Sequence, residues 1–205
     1  MVLAKYDVLG SIAHAKMLQK INILTKKEAN DLVTTLEEIL VEIEKGNFTI
    51  EDTFEDVHSK IEYLLTEKLG DTGKKIHTAR SRNDQVLVDI HLYLKDEISE
   101  IKKLTKELFD LLISLSKKHQ NVLLPGYTHL QIAMPSSFGM WLSAYAETLI
   151  DDIVLLNASQ KIVDQNPLGS AAGYGSSFPI DRSFTTQELQ FAVLKYLSLI
   201  HISEP

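Results

Sequence analysis

Basic and amide side chains are concentrated in one short stretch of an otherwise acidic sequence. Residues 74–85 read Lys-Lys-Ile-His-Thr-Ala-Arg-Ser-Arg-Asn-Asp-Gln, and a long amphipathic segment follows them. Helix N-termini attract anions, and arginine can bind a carboxylate through two parallel hydrogen bonds. The stretch is therefore either a carboxylate-binding site or a solvated turn whose charges have no ligand.

Two further polar stretches interrupt the apolar pattern. In residues 124–131, His129 follows a Pro-Gly pair and precedes an expected helix start. Because imidazole exchanges protons near neutral pH, His129 is either a proton-transfer residue or a histidine that hydrogen-bonds a helix end. Residues 169–177 are rich in Gly and Ser. They follow a helix and lack the Gly-Lys-Ser/Thr ending of a P-loop, so we expect a turn rather than a nucleotide site.

The sequence lacks the common motifs for metal binding and for a nucleophilic serine. The sequence contains no Cys, and no two histidines have the spacing of a His-Glu-x-x-His zinc site. A Gly-x-Ser-x-Gly motif is also missing. We therefore predict no metal site and no serine hydrolase.

Two long segments without Gly or Pro must position these polar residues. In the first, apolar residues recur at three- and four-residue steps, which predicts a helix from about Arg82 to His119. Such a helix would be about 55 Å long and needs partners along its length. Residues 140–166 form the second segment, and we place Pro135 in the first turn of its helix.

The remaining segments predict shorter helices, and none predicts a β-strand, so the fold class is all-α. The first helix spans residues 4–21. Three others are expected from capping signals: Thr25 with Glu28, Asp52 or Thr53 before a helix that ends at Gly70, and Thr185 with Glu188 before a helix that runs through Leu194. We divide the chain into an N-terminal helical domain at 1–80 and the first part of a helical bundle at 81–196.

Composition limits the function classes. The 205 residues carry 21 Lys and Arg against 28 Asp and Glu, and the resulting net charge of −7 argues against a nucleic-acid-binding protein. No apolar run approaches the length of a membrane span, and the first residues do not resemble a signal peptide. We therefore expect no membrane contact and a cytoplasmic location.

Five stretches together resemble argininosuccinate lyase of the fumarase/aspartase superfamily, in that family's order and with similar spacing. The matching stretches are residues 6–14, 55–62, 77–86, 124–131 and 166–174. The resemblance implies a helical fold with a long central bundle, a homotetramer whose active sites combine three subunits, and no cofactor. It also implies reversible β-elimination of argininosuccinate to arginine and fumarate, the last step of arginine biosynthesis.

The resemblance also assigns roles to individual residues. His129 matches the family's active-site histidine, which has an acid or proton-relay role. The matches to substrate-binding residues are Ser11, Ser81, Arg82, Asn83, Thr128 and, more weakly, Gln131. Asp56 and His58 match a segment whose residues either line the site or support it structurally.

The chain also departs from the family. The family's signature loop, Gly-Ser-Ser-x-Met-Pro-x-Lys-x-Asn, supplies the serine thought to abstract the proton, and no such run is present. We therefore expect the isolated chain to be inactive. Residues 197–205 resemble a translated sequencing adapter, and we exclude them from the fold. Two alternatives remain open: another fumarate-releasing lyase of the superfamily, and a non-catalytic scaffold like the related lens crystallins.

Overall fold

A computed structural model describes residues 2–196, and the segment 197–205 singled out above lies outside this range. The helices are α1 (Ala4–Lys20), α2 (Lys26–Glu44), α3 (Val57–Leu69), α4 (Asp71–Lys74), a 3₁₀ turn (Lys75–His77), α5 (Arg82–Lys118), α6 (Phe138–Val163) and α7 (Arg182–Glu188). The strands are β1 (Leu123–Thr128), β2 (Gln131–Ser137), β3 (Gln165–Asn166) and β4 (Val193–Leu194). The predicted all-α class is confirmed in that helices dominate the described residues.

The described chain divides into two compact units. One comprises residues 2–94 and 163–196, and the other comprises residues 95–162. The domain boundary that we place between residues 80 and 81 stays a prediction. Within residues 2–196, no helix combines the length and the apolar character that a membrane crossing requires.

The core of the first unit is built by α1, α2 and α3. The capping box predicted for α2 is confirmed, since the Glu28 N–H donates to Thr25 Oγ1 at 3.2 Å and the Thr25 N–H donates to the Glu28 carboxylate at 2.8 Å. The buried side chains from these helices include Met17, Leu18, Leu32, Leu36, Ile61 and Leu65. Each contributes about 1.5–3 kcal/mol through removal of apolar surface from water.

The second unit contains the later part of α5, the β1–β2 hairpin and α6. Ser116 Oγ donates to the Gly139 carbonyl at 2.7 Å, and Lys102 Nζ donates to Gln160 Oε1 at 2.8 Å, so the two long helices run antiparallel. Many large apolar side chains of these helices are exposed: Leu104, Leu108, Leu111, Trp141, Tyr145 and Val154. The apolar faces of the amphipathic helices α5 and α6 are therefore largely exposed within the described residues.

The prediction that the chain has no strand was wrong for the segment between α5 and α6. Strands β1 and β2 pair antiparallel from Leu123 opposite Ser137 to Thr128 opposite Gln131. Pro135 lies in β2, opposite Pro125, and not in the first turn of α6. Prolines usually argue against a strand, but a two-stranded ribbon leaves one edge of each strand unpaired and so tolerates their missing N–H groups.

Two predicted helix starts were also wrong. Helix α3 is capped by Asp56, whose Oδ1 accepts from the Ser59 N–H at 2.8 Å, and not by Asp52 or Thr53. Asp181, not Thr185, caps α7. That helix ends at Glu188 because Gln190 adopts a left-handed φ of 54°, and the chain then continues into β4 instead of extending the helix.

Candidate functional site

Ser81 caps the first turn of α5, where the sequence left a carboxylate-binding site and a solvated turn as alternatives. The Ser81 N–H donates to Asp84 Oδ1 at 2.8 Å, and the Asn83 N–H donates to Ser81 Oγ at 3.3 Å. This reciprocal pairing resembles a capping box with an aspartate in place of glutamate. It fixes Ser81, Arg82 and Asn83 at the positive end of the α5 dipole.

The Gly-rich stretch after β3 lies directly against this first turn. Asp84 Oδ2 accepts from the backbone N–H groups of Gly169 at 2.8 Å and Ala171 at 3.1 Å. The Asn83 side-chain amide donates to the Ala172 carbonyl at 3.4 Å. Burial raises the pKa of Asp84, and the hydrogen bonds from the backbone of Ser81 and of the Gly-rich stretch oppose this rise. The expected turn at residues 169–177 is confirmed, and one buried carboxylate holds it against α5.

Arg82, one of the substrate-binding candidates, already pairs with a carboxylate of the chain itself. Its guanidinium contacts the carboxylate of Asp56 and donates to Ser59 Oγ at 2.9 Å. Glu55 Oε2 lies 3.7 Å away. Although burial acts in the opposite direction, hydrogen bonds from Ser59 and the Arg82 charge hold the pKa of Asp56 below its usual range. Asp56 and Ser59 therefore engage the two terminal nitrogens of the Arg82 guanidinium.

A second arginine, Arg80, contacts α1, the helix that carries the substrate-binding candidate Ser11. Arg80 Nη1 donates to Ser11 Oγ at 2.9 Å, and both residues are buried. The resemblance matched Ser11 to a substrate contact, but it did not single out Arg80. A buried guanidinium beside a buried hydroxyl is a strong anion-binding pair, because charge-assisted hydrogen bonds strengthen where water is excluded.

Four buried side chains from three helices lie close together, and we call them the buried polar cluster: Asp7, His58, Gln85 and Asp89. His58 Nδ1 lies 2.7 Å from Asp7 Oδ1, and Gln85 Nε2 donates to the same oxygen. Asp89 Oδ2 lies 3.8 Å from His58 Nδ1. The position of His58 in this cluster favours a structural role over a role in lining the site.

The donor atoms of Asp7, His58 and Asp89 lie within 4.8 Å of one another, a spacing that a metal ion can use. However, a 2.7 Å hydrogen bond already joins His58 Nδ1 and Asp7 Oδ1. We therefore interpret the group as a hydrogen-bonded cluster. Burial, and then the neighbouring Asp7 carboxylate, raise the pKa of Asp89 far above its usual range, against the opposing charge of Arg80.

The remaining candidates lie on the β1–β2 hairpin of the second unit. His129 and Leu130 form its two-residue turn, with φ values of 49° and 63°, and they are exposed. Thr128 and Gln131 pair at the base of that turn. His129 thus follows a strand, and the expectation that it precedes a helix start was wrong. Left-handed φ at both positions is the geometry of a type I′ turn, which His and Leu adopt at a cost in strain.

The structure brings together one group of candidates in the first unit. Ser81, Arg82 and Asn83 share the first turn of α5, while Ser11 and Asp56 are joined to neighbouring residues through Arg80 and Arg82. Sequence reasoning placed Arg80 in the basic stretch at residues 74–85 but gave no role to the supporting residues Asp7, Asp84, Gln85 and Asp89. One signal was available, because Asp89 is a charged residue among the regularly spaced apolar residues of α5.

Solved structures of lyases share the fold of this chain. EDDS lyase in complex with formate matches with a TM-score of 0.83 at 24% identity over 94% of this chain and 38% of that one. A structure titled fumarate lyase:delta crystallin from Brucella melitensis matches with a TM-score of 0.74 at 17% identity over 92% of this chain and 46% of that one. The fold is therefore that of the fumarase/aspartase superfamily lyases.

The sequence comparisons identify the family. The family model described as Lyase matches residues 1–201, and the chain belongs to this lyase family. Argininosuccinate lyase of Parabacteroides distasonis is 57% identical over 194 residues, which cover 95% of this chain and 44% of that protein. Argininosuccinate lyase of Desulforamulus reducens is 48% identical over 98% of this chain and 44% of that protein. The chain thus spans less than half the length of these curated relatives.

Proposed function

We propose that the chain is part of an argininosuccinate lyase, which cleaves argininosuccinate reversibly to arginine and fumarate in arginine biosynthesis. The observation that carries the proposal is 57% identity over 194 residues to a curated argininosuccinate lyase. The cluster at the start of α5 supports it, because it contains the Ser-Arg-Asn-Asp-Gln run and combines two arginines with amide and hydroxyl donors.

In the proposed reaction, a base removes a proton from the carbon beside a substrate carboxylate. The C–N bond then breaks, a C=C bond forms in fumarate, and the leaving guanidinium nitrogen takes up a proton. The carbanionic intermediate needs positive charge and N–H donors near its carboxylate. Arg82, Asn83, Ser81 and Ser11 are the candidate donors in the first unit of this chain.

Thr128, His129 and Gln131 are the proposed contribution of the hairpin. His129 would relay or donate the proton that the leaving nitrogen requires, since imidazole exchanges protons near neutral pH. Thr128 would hydrogen-bond the substrate, and Gln131 is the weaker candidate. Asp56 is proposed to line the site beside Arg82, and His58 is proposed to support it through the buried polar cluster.

We further propose that the working enzyme is a homotetramer. The exposed apolar faces of α5 and α6 support this, because a long amphipathic helix is stable only when its apolar face is covered. The isolated 205-residue chain is expected to be inactive, since it contains no run that matches the signature loop with the proposed base. A cytoplasmic location stays a prediction from the composition.

Complementation tests the proposal. The chain would be co-expressed with the Parabacteroides distasonis argininosuccinate lyase in which alanine replaces the histidine that matches His129. We expect mixed oligomers that release fumarate and arginine from argininosuccinate. The control is the same chain with His129→Ala, whose mixed oligomers should be inactive. Mixed oligomers that form but show no activity with either chain would refute a catalytic role for His129 and favour a non-catalytic scaffold.

A further inference from the structure

The buried polar cluster contains two carboxylates but too few positive charges and donors to balance them. Asp7 and Asp89 are each 0% exposed. Neither oxygen of Asp89 has a hydrogen-bond partner, and Asp7 Oδ2 and Gln85 Oε1 also lack one. An ionised carboxylate in such surroundings is very costly, so something must neutralise or pair with Asp89.

The groups around Asp89 come from α1, α3 and the residues before α5. Helix α1 contributes Asp7, and Gly10 of the same helix would place an added Cβ 3.6 Å from Asp89 Oδ1. Helix α3 contributes His58, whose Nδ1 already pairs with Asp7. Arg80 precedes α5, and its Nη1 is engaged by Ser11.

On α5 itself, the Gln85 amide lies one turn before Asp89, and its Nε2 already donates to Asp7. The cluster therefore has unpaired acceptors on three side chains. Among the described residues no donor bonds Asp89, although the buried Arg80 Nε lacks a hydrogen-bond partner of its own. A proton on Asp89 would remove its charge and supply one O–H donor to one of these acceptors.

We propose that Asp89 is a positioning residue that holds a proton at neutral pH and donates it within the buried polar cluster, joining α1 and α3 to α5. These helices carry Ser11 one turn after Asp7, Asp56 at the start of α3, and Asn83 in the first turn of α5. The consequence for substrate binding rests on the proposed function. The proton itself does not, because it follows from the cluster alone.

The proton on Asp89 should make the free energy of unfolding depend on pH. Burial and Asp7 raise the pKa of Asp89 in the folded state, whereas the unfolded chain loses the same proton near pH 4. The folded state therefore binds one more proton than the unfolded state across neutral pH. Its stability falls as pH rises toward the folded pKa, and the equilibrium constant of unfolding rises by about tenfold per pH unit from this group.

The experiment compares urea unfolding of the full chain at pH 7, 8 and 9 for the wild type and Asp89→Asn. Asparagine keeps an N–H donor and cannot ionise, so it imitates the protonated acid. We expect the ratio of the two unfolding constants to change by about tenfold per pH unit. Asp110→Asn, an exposed position on the same helix, should follow the wild type at every pH.

Two further measurements separate a held proton from a simple packing role. Carbon-13 labelling of aspartate carboxyl groups should show one protonated carboxyl signal at pH 7 in the wild type and none in Asp89→Asn. Asp89→Ala should be less stable than the wild type at all three pH values, whereas Asp89→Asn should restore the stability at pH 7.

Two outcomes would overturn the proposal. Unfolding constants of the wild type and Asp89→Asn that change in parallel from pH 7 to 9, without a protonated carboxyl signal, would mean that Asp89 is ionised. A wild type that Zn²⁺ or Mn²⁺ stabilises and EDTA destabilises, with no such response in Asp89→Asn, would mean that a cation compensates the cluster. Neither outcome depends on lyase activity, so the proposed function is tested separately.

Discussion

The carboxylate of Asp84 accepts a 2.8 Å hydrogen bond from the backbone N–H of Gly169, 85 residues later in the sequence. The same carboxylate accepts from Ala171 and closes the cap of α5 through Ser81. One buried side chain therefore satisfies backbone donors of two segments that both contribute to the candidate site. The Gly-rich turn is therefore held by this carboxylate as well as by its own hydrogen bonds, in which the Gly173 and Gly175 N–H groups donate to the Ser170 carbonyl.

Replacement of Asp84 should destabilise the first unit. Asp84→Ala leaves the N–H groups of Gly169, Ala171 and Ser81 without their acceptor, and we expect a loss of about 3 kcal/mol in the free energy of unfolding. Urea unfolding measures the loss, and amide hydrogen exchange at Gly169 and Ala171 locates it. Asp110→Ala is the control, because its surface ion pair contributes little. A loss below about 0.5 kcal/mol would contradict this role for Asp84.

Arg82 should bind carboxylate ligands more tightly when Asp56 no longer competes for it. Asp56→Asn removes the charge but keeps an oxygen that can cap α3. We expect fumarate to bind about fivefold more tightly, the equivalent of about 1 kcal/mol for a partly exposed ion pair. Calorimetric titration of the full chain measures the affinity.

Glu55→Gln provides the matched control for this comparison, because Glu55 lies 3.7 Å from the Arg82 guanidinium and is largely exposed. It should change the affinity for fumarate very little. Equal or weaker binding by Asp56→Asn would show that Asp56 does not compete with the ligand and instead orients Arg82 toward it.

His14 should make the folded chain sensitive to acid. Burial, and then the Arg80 charge, lower the pKa of His14 to about 3, while its Nε2 pairs with the Thr78 carbonyl at 2.9 Å. The unfolded chain binds this proton below about pH 6.5, so the stability contributed by neutral His14 is lost as pH falls through that range. Relative to the wild type, His14→Gln should gain about 2 kcal/mol between pH 7 and pH 5.

Urea unfolding at both pH values measures this relative gain. His119→Gln is the control, because His119 lies outside the buried core. If the stabilities of the wild type and His14→Gln change equally between pH 7 and pH 5, His14 is not held neutral by its surroundings.

Gly73 permits the close approach of α4 to α3. A Cβ at this position would lie 2.3 Å from the Leu65 carbonyl oxygen, and a backbone atom cannot move away as a flexible side chain can. Gly73→Ala should therefore destabilise the chain by about 2–3 kcal/mol through forced backbone displacement. Thermal unfolding measures the effect against Lys74→Ala, an exposed neighbour. Equal unfolding temperatures for the two variants would show that the helices separate without cost.

The sequence predicted elements whose signals are local. Periodic apolar residues located α5 within one residue at its C-terminal end, and the Thr25–Glu28 pair located the start of α2. The hairpin was missed because Pro125 and Pro135 argue against strands, and the pairing that tolerates them is visible only in the structure. Propensity could not show that two proline-containing segments would pair with each other.

In the candidate site, too, the sequence predicted only the features that have a local signal. Residue types placed the run from Ser81 to Asn83 in a basic stretch at a helix start, and only the resemblance assigned substrate contacts to it. Its partners could not be found, because Asp84 and Asp56 act through hydrogen bonds to residues distant in the sequence. Asp89 gave one signal as a charged residue in the apolar pattern of α5, but its burial beside Asp7 and His58 is visible only in the structure.

Pro125 and Pro135, which lie opposite each other in the hairpin, also affect how the protein contacts other chains. The ribbon exposes Leu123, Ile132 and Met134, and both of its strands have a free edge. A free, apolar edge is a template on which strands of foreign chains can add and start aggregates. Prolines deny such strands a backbone donor in the middle of the ribbon. The hairpin thus presents apolar side chains to a partner while its backbone resists non-specific strand addition.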